Sequence, residues 1–179
     1  VRYLESKRSV DDRALSGRGS AELRDRLPPS PTVFEAGPGT GVTVPRLLSW
    51  GVESGRYQGV ERSAALVEYA REERAAELAA AGRDVSRTET GFRVADLDVS
   101  FVAGDATTAV RNADPAPDLV VAQAFMDLVP VEETVALFED ALAPGGLAYF
   151  PITFDGGTVF QPDHPDDDAV EAAYHRAID

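Results

Sequence analysis

Residues 32–44 read TVFEAGPGTGVTV and place Gly37, Gly39 and Gly41 at alternate positions, directly behind a short apolar run with the composition of a strand. A chain accepts the entropy cost of glycine where φ must be positive or where a ligand must come close to the main chain. Three such positions at a strand-to-helix junction point to a nucleotide-type ligand held by backbone. A dinucleotide fingerprint is spaced G-x-G-x-x-G, but here Val42 takes the place of its third glycine, which falls instead at Gly41. Glu35, two residues before Gly37, would repel a diphosphate and suits a ligand with positive charge at that point.

A second acid, Glu61, ends the run RYQGVE twenty residues beyond Gly41. A carboxylate at the mouth of the neighbouring strand suits a bidentate bond to two ribose hydroxyls, which alone does not separate NAD from other adenosine ligands. In FVAGDAT, residues 101–107, Asp105 can accept from an adenine amino group with the backbone N–H of Ala106 beside it. Asp105 can equally cap a turn that begins at Ala106.

The elements that position these residues follow from the pattern of the chain. Runs of four to eight apolar residues alternate with helical patterns, the signature of βαβ units and a parallel sheet. Strands are expected at Thr32 to Ala36, Tyr57 to Glu61, Val99 to Ala103, Leu119 to Ala124 and Leu147 to Phe154. Helices are expected near Val44 to Trp50, Ala64 to Ala81 and Val131 to Ala143, the last with Val131, Val135, Phe138 and Leu142 on one face and Pro144-Gly145-Gly146 as its stop. Gly82 to Ala95 shows no clear period and reads as a connecting loop. The first thirty residues are polar and are expected to form short helices near Val10 to Ser16 and Ser20 to Leu27, the second capped by Ser20. An acidic turn, PDHPDDD, and a final helix from Ala169 to Asp179 close the sequence.

With 179 residues and 44% hydrophobic content the chain can bury one sizeable core, and one domain is expected: a helical cover (1–30), a ligand-binding core (31–155) and a partial C-terminal segment (156–179). The formal charge is −14, from 31 acidic and 17 basic residues, and Lys7 is the only lysine. Nucleic-acid affinity needs clustered cations that this composition lacks, so nucleic acid is not an expected partner. The acid-rich, lysine-poor balance also predicts a halophilic protein whose stability rises towards molar KCl. No cysteine is present, which excludes disulfides and thiolate sites. No run of about 18 uncharged apolar residues and no signal-type segment is found, so no membrane association and a cytoplasmic location are expected.

Taken in order, the E-x-G-x-G-x-G turn, the acid ending the second strand, Gly104-Asp105-Ala106 after the third and Leu142-Ala143-Pro144-Gly145-Gly146 before the fifth resemble the class I S-adenosylmethionine-dependent methyltransferases over residues 32–154. The resemblance implies a three-layer, doubly wound Rossmann-like α/β fold with strand order 3-2-1-4-5, and S-adenosylmethionine as cofactor. It implies that Gly37, Gly39 and Gly41, with Pro38 among them, wrap the methionine part. Glu61 would hold the ribose with Arg62 beside it, and Asp105 with Ala106 would read the adenine. Gln123 and Ala124 would face the sulfonium and the substrate, and Glu35 would act through the amino group or a nearby water. The family's sheet has seven strands; nothing after Phe154 reads as the sixth or seventh, so those strands are expected to be missing, with the chain truncated or else a five-stranded variant. Pro151 inside the fifth strand would mark a bulge and leave an open edge, which motivates a homodimer.

The acceptor side is less marked. Phe125, Met126, Asp127 and Leu128 follow the fourth strand, and Asp127 is the candidate to orient or deprotonate a small-molecule acceptor, or else to cap the helix near Val131. Phe154, Asp155, Phe160 and His164 belong to the same rim; His164 or His175 is a candidate base, against the plainer reading of a surface histidine. Tyr3 is a candidate to close over the ligand. The alternatives are a non-catalytic S-adenosylmethionine-binding module and an NAD-dependent oxidoreductase, the latter opposed by Val42 and Glu35.

Overall fold

Parallel strands need a crossover between them, and this chain supplies a helix for most of its crossovers. The computed structural model describes residues 1–151, 162 and 164–178. In chain order, α1 (Arg2–Ala14) and α2 (Gly17–Arg26) precede β1 (Thr32–Ala36), α3 (Thr43–Ser49), β2 (Ser54–Glu61) and α4 (Ala64–Ala80). Then come β3 (Val85–Arg87), β4 (Gly91–Val94), β5 (Asp96–Ala103), α5 (Ala106–Arg111) and β6 (Leu119–Val121). A 3-10 turn (Met126–Leu128), α6 (Val131–Ala141), β7 (Leu147–Tyr149) and α7 (Asp167–Ile178) complete it.

The sheet runs β3-β4-β5-β2-β1-β6-β7. Its parallel part, β5-β2-β1-β6-β7, is the expected 3-2-1-4-5 order, with Phe34 of β1 opposite Gln58 of β2 and Val120 of β6. The expectation of five strands is corrected: the described residues form a seven-stranded sheet, in which β3 and β4 join the five expected and the sixth and seventh in chain order, β6 and β7, are the expected fourth and fifth. Most of the stretch just after Phe154, where the last two strands were expected to be missing, lies outside the described residues. The stretch Gly82 to Ala95, read as a loop, forms the antiparallel hairpin β3–β4 against the β5 edge, with Phe92 opposite Val99. Only one face of that hairpin is apolar: Phe92 and Val94 are buried while Arg93 between them is exposed and pairs with Asp98.

The period-2 alternation of β1 sorts its side chains between two helical layers. Val33 faces α3 and α4 with Leu47, Val67 and Phe101, whereas Phe34 and Ala36 face α5 and α6 with Val110 and Phe138. Several boundaries shift. α1 begins at Arg2, and Ser16, not Ser20, caps α2, accepting from the Gly19 N–H. The inward row of α6 is Thr134 and Phe138; Val131 and Val135, expected on that face, are exposed because Phe138 sets the rotation by packing between Phe125 and Phe150. β7 ends at Tyr149, so Pro151 lies beyond a strand and not inside one. Residues 152–154 of the expected fifth strand, with Phe154, Asp155 and Phe160 of the acceptor rim, lie outside the described residues, as does the His175 side chain. Among the described residues no helix is long and apolar enough to cross a membrane.

Candidate functional site

The carboxyl ends of β1, β2, β5 and β6 open onto one cleft of about 290 Å³, the place where a doubly wound sheet binds ligands. Ten of the eleven residues assigned to the cofactor line it; Gly41 does not. Gly37, Gly39 and Gly41 have φ of +65°, +55° and +76°. The turn is tied down by Gly37 N–H to Val60 O at 3.0 Å and Gly41 N–H to Pro38 O at 2.8 Å. Gly41 lies beneath the cleft, where a Cβ would stand 2.8 Å from Phe101 and 3.1 Å from Ala70, so its role is close packing of the turn on the core.

Glu35 points from β1 into the α3 layer beneath the turn and is 2% exposed. Its Oε1 accepts from the Thr43 hydroxyl at 2.8 Å and its Oε2 from the Tyr57 hydroxyl. Burial pushes its carboxyl up to about 7, against the two hydrogen bonds and the nearby Arg46 charge, which favour the anion. Burial, with the neighbouring Glu35 carboxylate, pushes the Tyr57 phenol well above its ordinary value.

Glu61, at the end of β2, spans two elements: Oε2 accepts from Gly39 N–H at 3.3 Å and Oε1 from Ser63 N–H at 3.0 Å. Asp105, at the end of β5, caps α5. Its Oδ1 accepts from the Thr107 hydroxyl at 2.6 Å and Thr108 N–H at 2.9 Å, and its Oδ2 from Arg62 at 2.7 Å. Those bonds hold the carboxyl below the usual carboxylate range. The capping reading of Asp105 is therefore realised, while Oδ2 keeps one lone pair for a ligand. Ala106, the first residue of α5, is buried on the cleft wall.

At the end of β6, Ala124 takes φ +47°, a left-handed conformation that costs a non-glycine residue of order 1 kcal/mol. That turn brings Phe125 over Gly37, where a Cβ would lie 2.9 Å from Phe125 Cδ2. Gln123 lines the cleft and accepts from Arg46 of α3. Asp127, in the 3-10 turn, is exposed and stands outside the cleft lining; α6 begins behind Pro130 with no side-chain cap. His164 is exposed and engaged in the turn before α7, its Nδ1 accepting from Asp166 N–H at 3.2 Å.

Sequence reasoning missed the contribution of α1. Leu4, Lys7, Arg8 and Asp11 form one wall of the cleft, whereas Tyr3, expected to close it, is 73% exposed and absent from the lining. α1 buries no residue of its own and is held by ion pairs: Arg8–Glu77 at 2.7 Å, Glu5–Arg74 at 3.1 Å and Asp12–Arg46 at 2.7 Å. The signal available in the sequence was the run of i,i+4 opposite charges, Lys7 with Asp11 and Arg8 with Asp12. A second hollow of about 360 Å³ lies over Arg56, Gln58 and Ser100 and holds none of the assigned residues. No group of three or more metal-ligating side chains occurs among the described residues.

No family model matches the chain, and no curated protein does. Solved structures do. A methyltransferase from Thiobacillus denitrificans, in complex with S-adenosyl-L-homocysteine, is 25% identical over 90% of this chain and 56% of its own, with a TM-score of 0.53. One from Geobacter sulfurreducens, also with S-adenosyl-L-homocysteine, is 23% identical over 76% of this chain and 48% of its own, at 0.52. The precorrin-6y C5,15-methyltransferase of Geobacter metallireducens is 16% identical over 88% of this chain and 66% of its own, at 0.51. The chain spans about half the length of the first two. Strand order, glycine turn and cleft define the fold as that of the class I S-adenosylmethionine-dependent methyltransferases.

Proposed function

We propose that the cleft binds S-adenosylmethionine and that the chain transfers its methyl group to a small-molecule acceptor. The observation that carries this reading is the meeting, in one cleft, of a bare glycine turn over a buried carboxyl with Glu61 and Asp105 at the next two strand ends. The donor set fits the cofactor. The turn offers backbone without side chains, Glu35 a negative charge below the position of an ammonium, Glu61 an acceptor for a ribose diol, and Asp105 with Ala106 an acceptor and an N–H for an adenine edge. The S-adenosylhomocysteine held by the Thiobacillus and Geobacter sulfurreducens proteins supports the same choice.

Bound there, the cofactor supplies a methyl group already activated by its sulfonium for in-line displacement. What remains for the protein is orientation and exclusion of water. Phe125, Leu128 and Leu4 supply apolar walls, and Ala124 sets the line of approach at the β6 end. Asp127, outside the cleft lining but next to Leu128 on its rim, is the group proposed to take a proton from an acceptor that must lose one. A net charge of −14 opposes a nucleic-acid acceptor. The separating experiment is a calorimetric comparison of S-adenosylhomocysteine with NAD: binding of NAD alone would make this a dinucleotide site.

A further inference from the structure

The β6 end of the cleft carries a side chain whose orientation the structure fixes. Arg46, only 7% exposed, donates from Nη1 to Oε1 of Gln123. A guanidinium has donors only, so the amide atom it meets is the oxygen, and the Gln123 NH₂ is left for the cleft which that residue lines. The same guanidinium donates from Nε to Asp12 Oδ1 at 2.7 Å, with Nη2 also 2.7 Å from that oxygen. Nε is bonded to α1 and Nη1 to Gln123, and every guanidinium nitrogen is a donor, so flipping the amide would set donor against donor. Asp12 balances the formal charge. Selectivity at this point therefore comes from a locked, polarised N–H donor and not from net charge.

We propose that Arg46 and Gln123 form an oxyanion subsite at the β6 end of the cleft, which takes a carboxylate carried by the cofactor or by the methyl acceptor. Gln123 makes the contact and Arg46 acts through it as a positioning residue. The proposal rests on the reading of the cleft as an S-adenosylmethionine site and names one chemical feature of what binds there.

Gln123→Glu tests it without emptying the position. The glutamate still accepts from Arg46, now as an ion pair, and turns a carboxylate oxygen to the cleft in place of NH₂. Its melting temperature is expected to equal or exceed that of the unaltered protein. Calorimetry then compares S-adenosylhomocysteine with 5′-methylthioadenosine, which lacks the amino-acid portion, and compares benzoate with benzamide on protein saturated with S-adenosylhomocysteine. If the cofactor supplies the carboxylate, Gln123→Glu weakens S-adenosylhomocysteine about tenfold or more and leaves 5′-methylthioadenosine unchanged. If the acceptor supplies it, the variant leaves both adenosine ligands unchanged and loses benzoate binding. In either case Arg46→Lys, which keeps a cation for Asp12 and gives up the fork that orients the amide, shows part of the same selective loss. Equal weakening of both adenosine ligands, or no loss in either arm, overturns the subsite. Failure of the unaltered protein to bind S-adenosylhomocysteine at all would instead remove the cofactor reading on which it stands.

Discussion

The Tyr57 hydroxyl on β2 donates a hydrogen bond to Oε2 of Glu35 on β1, and both side chains are buried beneath the glycine turn. The turn therefore rests on an ionisable pair shut off from solvent. Thr43 supplies the second bond to the carboxyl, and no described cation makes a salt bridge with it.

That arrangement makes stability depend on pH in a definite direction. Glu35 titrates near 7 in the folded chain against an ordinary value of 4.5. Between those values the folded state holds the proton more tightly than the unfolded state, so stability falls as pH rises across that window, by about 3 kcal/mol in all. Glu35→Gln keeps partners for Thr43 and Tyr57 and removes the titration. It is expected to melt about 5 °C or more above the unaltered protein at pH 8 and to show little difference at pH 5, read by calorimetry at both values. The same variant should abolish a rise in S-adenosylhomocysteine affinity between pH 6 and 8, since a ligand ammonium favours the ionised carboxyl. An offset equal at both pH values would contradict the assignment.

Gly41 and Gly37 should respond differently to alanine. At Gly41 the new Cβ meets Phe101 and Ala70 inside the core, on a backbone at φ +76°, and Gly41→Ala is expected to cost about 2–4 kcal/mol in stability. At Gly37 the neighbour is Phe125, half-buried at the cleft with one side towards it, so Gly37→Ala should cost about 1–2 kcal/mol and weaken ligand binding as well. Denaturant melts of the two variants decide it; equal losses would contradict the different roles.

Arg74 anchors α1. It is 1% exposed, with Glu5 of α1 at 3.1 Å and Glu77 at 2.8 Å. Removing its charge takes the cation from Glu5 and leaves Glu77 with Arg8 alone, and Arg74→Met is expected to cost about 3 kcal/mol. Because α1 buries no apolar side chain, the loss should appear first as faster amide exchange across residues 2–14, with β1 and β2 still protected. Unchanged exchange in α1 would show that something other than these ion pairs holds it.

The sequence shows the parts of this fold whose signals are local. The glycine turn, Glu61 at a strand end and the order of the parallel strands follow from period and turn chemistry, and the structure brings their residues together. The β3–β4 hairpin escaped because Val85–Arg87 is short and mostly exposed, and Gly91–Val94 offers only Phe92 and Val94 as apolar signal. The first half of α1 and its place at the cleft escaped, where a helix was expected only near Val10 to Ser16, because α1 docks through ion pairs and buries no residue. Arg46 could not be singled out, since its partners Asp12 and Gln123 lie 34 and 77 residues away and only the tertiary fold joins them. On α6 the spacing of Val131 and Val135 mimicked a core face that Thr134 and Phe138 occupy.

The central claim is that the turn holds S-adenosylmethionine, and titration of S-adenosylhomocysteine into the protein and into Gly39→Arg tests it most directly. Gly39 lines the cleft with only Leu4 near its Cβ position, so an arginine there obstructs the ligand more than the core. The account predicts saturable one-to-one binding in about the micromolar range, lost about a hundredfold or more in Gly39→Arg while NAD gives no heat with either. Binding of NAD in place of S-adenosylhomocysteine, or equal affinity of both proteins for S-adenosylhomocysteine, would contradict it.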